Sequence, residues 1–137
     1  MSKPLRILLA KLGMDTHTVG ITVIAHALRD AGMEVIFTGL KQTPEMVAAA
    51  AVQEDVDVVG VSSLSAAHTR HIPALATFLE EAGAGDKLLI VGGVIPEEDQ
   101  ALLRDAGVDQ IFTMGTATTD IVNYLNTWWQ SAQAKQS

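Results

Sequence analysis

Asp15 and His17 stand two apart in the stretch Lys11-Leu12-Gly13-Met14-Asp15-Thr16-His17-Thr18-Val19-Gly20, just after the first apolar run. A carboxylate at that spacing can accept the imidazole N–H, which fixes the tautomer and raises the basicity of the other ring nitrogen. That is the chemistry of a metal ligand and its orienting partner. The plainer alternative has Asp15 capping the following helix and His17 in water. The connection is long: ten residues from Lys11 to Gly20 exceed the roughly two to six of an ordinary strand-to-helix link, and surplus loop usually serves a ligand.

Three other segments are rich in small side chains. They are Val61-Ser62-Ser63-Leu64-Ser65-Ala66-Ala67, Val91-Gly92-Gly93-Val94-Ile95-Pro96, and Gly115-Thr116. Paired glycines let a ligand approach the backbone closely, and hydroxyls can bond its polar edge. Placed beside one long loop, such turns describe a slot for something long and narrow. Gly92-Gly93 lacks both the G-x-G-x-x-G pattern and the P-loop lysine and hydroxyl pair, so nicotinamide and nucleoside triphosphate are poorly supported. A phosphoacceptor receiver would need acidic residues at the ends of the first and third strands, and the third apolar run ends in Ser62. The absence of cysteine excludes disulfides, thiolate catalysis and Cys-ligated metals, leaving four histidines as imidazole ligands.

The elements that must hold these residues are written in the hydrophobic periodicity. Short continuous apolar runs predict strands at 5–10, 34–38, 56–61, 87–91 and 110–112. Amphipathic stretches between them predict helices at 20–31, 44–54, 69–82, 96–106 and 118–130. Gly32 and Gly107 are natural left-handed stops. Thr43 followed by Pro44 is an N-cap with proline at the first helical position. Pro96 with Glu97, Glu98 and Asp99 launches a helix whose acidic first turn complements the dipole. Strands separated by helices predict a doubly wound parallel α/β sheet, and five of them favour the flavodoxin-like order 2-1-3-4-5. Ligands then bind at the C-terminal ends of strands one and three, where the winding reverses. The 137 residues allow one domain, read as 1–130 followed by a polar tail at 131–137 expected to fray.

Nine Lys and Arg against sixteen Asp and Glu give a net charge of −7 with no basic stripe, so nucleic acid and anionic membranes are not expected partners. No apolar run approaches the ~18 residues of a membrane span, and a cytoplasmic protein is expected. His68 and His71 near a helix start are read as ordinary polar residues, with a metal pair as the alternative, and His26 as a surface or packing residue. Trp128-Trp129 near the last helix end is either end-packing or an anchor for a partner.

The motifs Asp15-x-His17-x-x-Gly20, Ser62-x-Leu64 and Gly92-Gly93, in that order, resemble the cobalamin-binding domain of adenosylcobalamin-dependent mutases. The segments 27–35 and 39–45 resemble the acyl-CoA mutase branch, and the likeness covers about residues 5–125. The resemblance implies that His17 is the lower axial ligand to cobalt, with Asp15 holding the imidazole and Lys11 completing the relay. It also implies that the displaced nucleotide tail threads beside Ser62, Leu64, Gly92, Gly93 and Gly115, next to Thr116. A separate large subunit would bind the acyl-CoA, leaving this chain as the non-catalytic cofactor subunit of a radical isomerase. Two alternatives stand beside it: a corrinoid carrier for methyl transfer, and a cobalamin-free flavodoxin-like interaction module. The family commonly reads D-G-H-D-R-G, whereas Thr16 and Thr18-Val19 stand here, which changes contacts around the ligand.

Overall fold

Apolar runs pair into a sheet and amphipathic stretches cover it in the computed structural model, which describes residues 4–11, 19–38, 42–63, 68–93, 95–113 and 115–136. The order is β1 (Arg6–Lys11), α1 (Val19–Asp30), β2 (Glu34–Phe37), α2 (Pro44–Gln53), β3 (Val58–Ser63), α3 (His68–Glu81), β4 (Leu88–Gly93), α4 (Glu97–Asp105), β5 (Gln110–Thr113) and α5 (Thr118–Gln136). The strands form one parallel sheet in the order β2-β1-β3-β4-β5, as the periodicity predicts. Among the described residues no helix is long and apolar enough to cross a membrane.

Strand alternation divides the core in two. Leu8, Ala10, Val59, Val61, Leu89 and Val91 pack with residues of α2, α3 and α4, such as Val47, Leu75 and Leu103. Ile7, Leu9, Val58, Leu88 and Ile90 pack on the other side with Ile21, Ala25 and Leu28 of α1 and Ile121 and Leu125 of α5. Each such Val, Leu or Ile side chain contributes roughly 1.5–3 kcal/mol by leaving water. Gly60 lies on the α1/α5 side, where a Cβ would meet Leu9 Cδ2 at 3.0 Å and Ile90 Cγ1 at 3.4 Å. A side chain there would press on the aliphatic packing and not on the ligand slot.

The punctuation works as the residue types dictate. Thr43 Oγ1 accepts from Met46 N at 3.1 Å, with Pro44 opening α2. Gly32 and Gly107 take φ of +90° and +119° after α1 and α4, a region closed to most side chains. Pro96 occupies the cap position instead of the first turn, its carbonyl accepting from Asp99 N at 2.9 Å.

Besides shifts at element ends, among them Lys11 joining β1 and Val19-Gly20 joining α1 so that the connection of ten residues shortens to 12–18, two differences from the sequence reading stand out. β3 and β4 continue through Ser62-Ser63 and Gly92-Gly93, which the apolar runs leave to loops. Ladder bonds use the backbone, so pairing proceeds in register, Ser62 with Gly92 and Ser63 with Gly93, after the aliphatic side chains end. β3 also starts two residues later than its apolar run, at Val58, and just before it the Asp57 carboxylate accepts from Arg6 N at 3.0 Å. The second difference is α5, which runs on to Gln136 instead of ending at Gln130. Residues 131–136 contain neither glycine nor proline, and Ala132, Gln133, Ala134 and Lys135 are good helix formers.

Candidate functional site

The register sets one row of residues across the C-terminal edge of the sheet. Lys11 pairs with Ser62, Ser62 with Gly92, and Gly92 with Phe112. Strand alternation continues Leu9 to Lys11 and Ile90 to Gly92, so the row faces α1 and α5, and Phe112 packs against that cluster. The row below it, Leu9, Gly60 and Ile90, is closed by aliphatic contact. At Gly92 the upper row opens: among the described residues a Cβ there would meet only the Phe112 carbonyl oxygen, at 3.6 Å.

Lys11 is the side chain with the largest electrostatic demand. It is the buried charged residue among those described, at 1% exposure. Its Nζ lies 3.5 Å from Ser62 Oγ, and its carbonyl accepts from Gln42 N at 3.1 Å. An ammonium this deep is costly unless polar partners surround it, so its place at the last residue of β1 is demanding. The next residue begins the segment that carries Asp15 and His17.

Of the residues singled out in the sequence, the structure brings Lys11, Ser62 and Gly92 together in this row. Gly93 follows on the other face with φ +131°, in register with Ser63 and Thr113, a backbone state that favours glycine. Gly115, at φ +95°, and Thr116 form the turn after β5. Thr116 Oγ1 donates to the Thr113 carbonyl at 2.7 Å, so its hydroxyl shapes that turn. Gly20 is the second residue of α1. Asp15, His17 and Leu64 lie outside the described residues.

Phe112 was not singled out by sequence reasoning. The available signal was parity: it stands two residues beyond Gln110 in a short strand, so its side chain shares that residue's face. Tyr124 of α5 meets it edge-on, with ring centroids 5.5 Å apart and planes at 79°. Burial raises the Tyr124 hydroxyl pKa, and Asp109 adds to the rise while Arg104 opposes it.

His26 is exposed and His71 half-buried, and no group of three or more metal-ligating side chains occurs among the described residues. Trp128 and Trp129 are both half-buried, stacked at 6.1 Å, and packed against the α1/α5 cluster, which is end-packing. A cavity of about 380 Å³ opens between α3 and α4, lined by Leu79, Ala84, Leu89 and Gly107 among others. It lies at the opposite end of β4 from the rim. Its Lys87 donates to the Val56 carbonyl and pairs with Asp55 at 3.7 Å.

The ends of β1 and β3 carry Lys11 and Ser62-Ser63 where a receiver would carry carboxylates. Residues 5–123 match the family described as B12 binding domain. The chain is 49% identical over 120 residues to the 2-hydroxyisobutanoyl-CoA mutase small subunit of Aquincola tertiaricarbonis, covering 88% of each chain. It is 42% identical over 135 residues to the pivalyl-CoA mutase small subunit of Xanthobacter autotrophicus, covering 98% of this chain and 90% of that one. A cobalamin-binding protein from Desulfitobacterium hafniense shares the fold at TM-score 0.79 and 22% identity, over 92% of this chain and 60% of that one.

Proposed function

Because this chain belongs to the B12 binding domain family, with cobalamin as its cofactor, we propose that it is the small subunit of a two-chain acyl-CoA mutase in which His17 holds cobalt from below. The observation that carries the assignment is the row Lys11, Ser62, Gly92, open above Gly92 and closed beneath by Leu9, Gly60 and Ile90. That arrangement fits the nucleotide tail of a corrinoid whose own base has left the metal: a hydroxyl for its polar edge, bare backbone for close approach, and apolar walls from α1, α5 and Phe112. In this reading Leu64 and Gly115 complete the slot, with Gly93, Gly20 and Thr116 shaping the backbone around it.

Each residue has a task of its own. His17 presents one imidazole nitrogen to the metal. Asp15 accepts the other ring N–H, which fixes the tautomer and raises the donor strength of the coordinating nitrogen. Lys11 stands at the last residue of β1, next in the chain to the segment that carries both. Adenosylcobalamin, when bound, supplies the radical chemistry through its cobalt–carbon bond. The acyl-CoA is taken up by the large subunit, and the carbon skeleton is rearranged where the two chains meet.

Electron spin resonance of the chain loaded with cob(II)alamin tests this reading directly. Coupling to one histidine nitrogen is expected, and it should vanish in His17→Ala. A spectrum showing the vitamin's own benzimidazole on cobalt in the parent protein would overturn the assignment. Asp15→Asn should keep the coordination but weaken cobalamin binding by about 10- to 100-fold, the usual cost of losing a ligand's orienting partner.

A further inference from the structure

We propose that Ser62 is a positioning residue for Lys11, and that this contact joins the tail slot to the loop bearing the axial ligand. The inference rests on the cobalamin reading above and goes beyond it, because it gives Ser62 a task that needs no tail. Two observations carry it. Lys11 and Ser62 are register partners at the ends of β1 and β3, with Nζ 3.5 Å from Oγ. The lysine is also buried to 1% exposure, so each polar neighbour of its ammonium matters to where it rests.

The main chain reinforces that placement. The Lys11 carbonyl accepts from Gln42 N at 3.1 Å, which pins the backbone at the last residue of β1. With the backbone held, the amine's position is decided by its side-chain contacts, and Ser62 is a rigid one because it stands inside a paired strand. Ser62 therefore faces two ways: towards Lys11 across β1, and towards the open space above Gly92 across β4. A ligand group that engages the hydroxyl from the Gly92 side alters its hold on Lys11 at the root of the 12–18 segment. Coupling of this kind is reciprocal, so a well-placed Lys11 also favours filling of the slot.

Cobinamide, the corrin without its nucleotide tail, separates this role from a simple contact with the tail. Binding of cobinamide and of cobalamin to the whole chain is measured by titration, with the histidine nitrogen coupling of the Co(II) forms as the spectroscopic readout. Ser62→Ala should weaken cobinamide binding by about fivefold to tenfold and broaden or reduce the nitrogen coupling, although no tail is present to be lost. Ser62→Thr, which keeps the hydroxyl, should restore both. On a Lys11→Met background, Ser62→Ala should cost cobinamide nothing further. Loss of cobalamin affinity with cobinamide affinity and spectrum unchanged overturns the proposal and leaves Ser62 as a tail contact only. Equal costs of Ser62→Ala with Lys11 and with Met at that position overturn it as well. A parent chain showing no histidine coupling with either corrinoid instead removes the cobalamin reading itself, a separate and recognisable failure. Thermal unfolding of each variant identifies any that has lost its fold, and Ser62→Gly, which also removes the hydroxyl and should show the same cobinamide loss, then carries the test.

Discussion

Tyr124 is the chain's single tyrosine, so its ionisation can be followed by tyrosinate absorbance without assignment. Burial against Phe112, then the negative charge of Asp109, hold its hydroxyl above the ordinary 10.0, with Arg104 pulling the other way. A raised pKa means that the folded chain holds this proton more tightly than the unfolded chain. The associated stability is complete below pH 10 and is lost as pH rises through the folded value. Absorbance titration should therefore give a midpoint above 10.0, and Tyr124→Phe should flatten the alkaline limb of stability. A midpoint at or below 10.0 would show that the ring is not desolvated as described. Lys11 shows how much of the site was legible residue by residue. It follows an unbroken apolar run directly, yet periodicity alone cannot distinguish a lysine that ends a strand in water from one buried at the rim. The decision belongs to β3 and to the Gln42 segment, which lie far away in sequence.

Glycine has opposite meanings on neighbouring strands of this sheet. Gly60 makes room for Leu9 and Ile90, whereas at Gly92 no side chain among the described residues comes within 4 Å of where a Cβ would stand. Gly60→Ala forces Leu9 Cδ2 away from a 3.0 Å contact and should cost about 1–3 kcal/mol, several degrees of Tm, with little direct effect on cofactor affinity. Gly92→Val should do the reverse, leaving Tm close to that of the parent and weakening cobalamin binding by about tenfold or more, since the branched side chain enters the slot. Equal losses of stability from the two changes would contradict the division between floor and slot. The strand order, the five helices and the stop glycines were readable because periodicity and turn chemistry are local. The ends of β3 and β4 were not, because pairing of Ser62 with Gly92 depends on backbone geometry that side-chain hydropathy does not encode. The row itself was half legible. Its Ser62 and Gly92 stood out as small residues, but that they share one face with Lys11 and Phe112 follows only from register.

The whole molecule spends its hydrophobic residues on the two faces of one sheet, and the slot emerges at the rim where those layers end. Radical rearrangement needs an enclosure that excludes water and competing reactants. Among the described residues, the rim of this three-layer fold offers a floor beneath a cofactor and no wall above it. On the proposed reading closure comes from the large subunit, and its contact surface is expected at the C-terminal edge of the sheet. Trp128 and Trp129 offer a different docking point in principle, but they stack on each other some ten residues, about 15 Å of helix, beyond the start of α5 and pack into the chain's own core. Trp128→Ala should therefore lower Tm by the several degrees expected of a lost half-buried aromatic, while assembly with the large subunit at a temperature where both chains are folded stays intact. Loaded with adenosylcobalamin, the isolated chain should turn over no acyl-CoA, and activity should appear in proportion to added large subunit across an acyl-CoA panel. Turnover by the small chain alone would mean that enclosure arises within it, and the division of labour argued from the open rim would have to be abandoned.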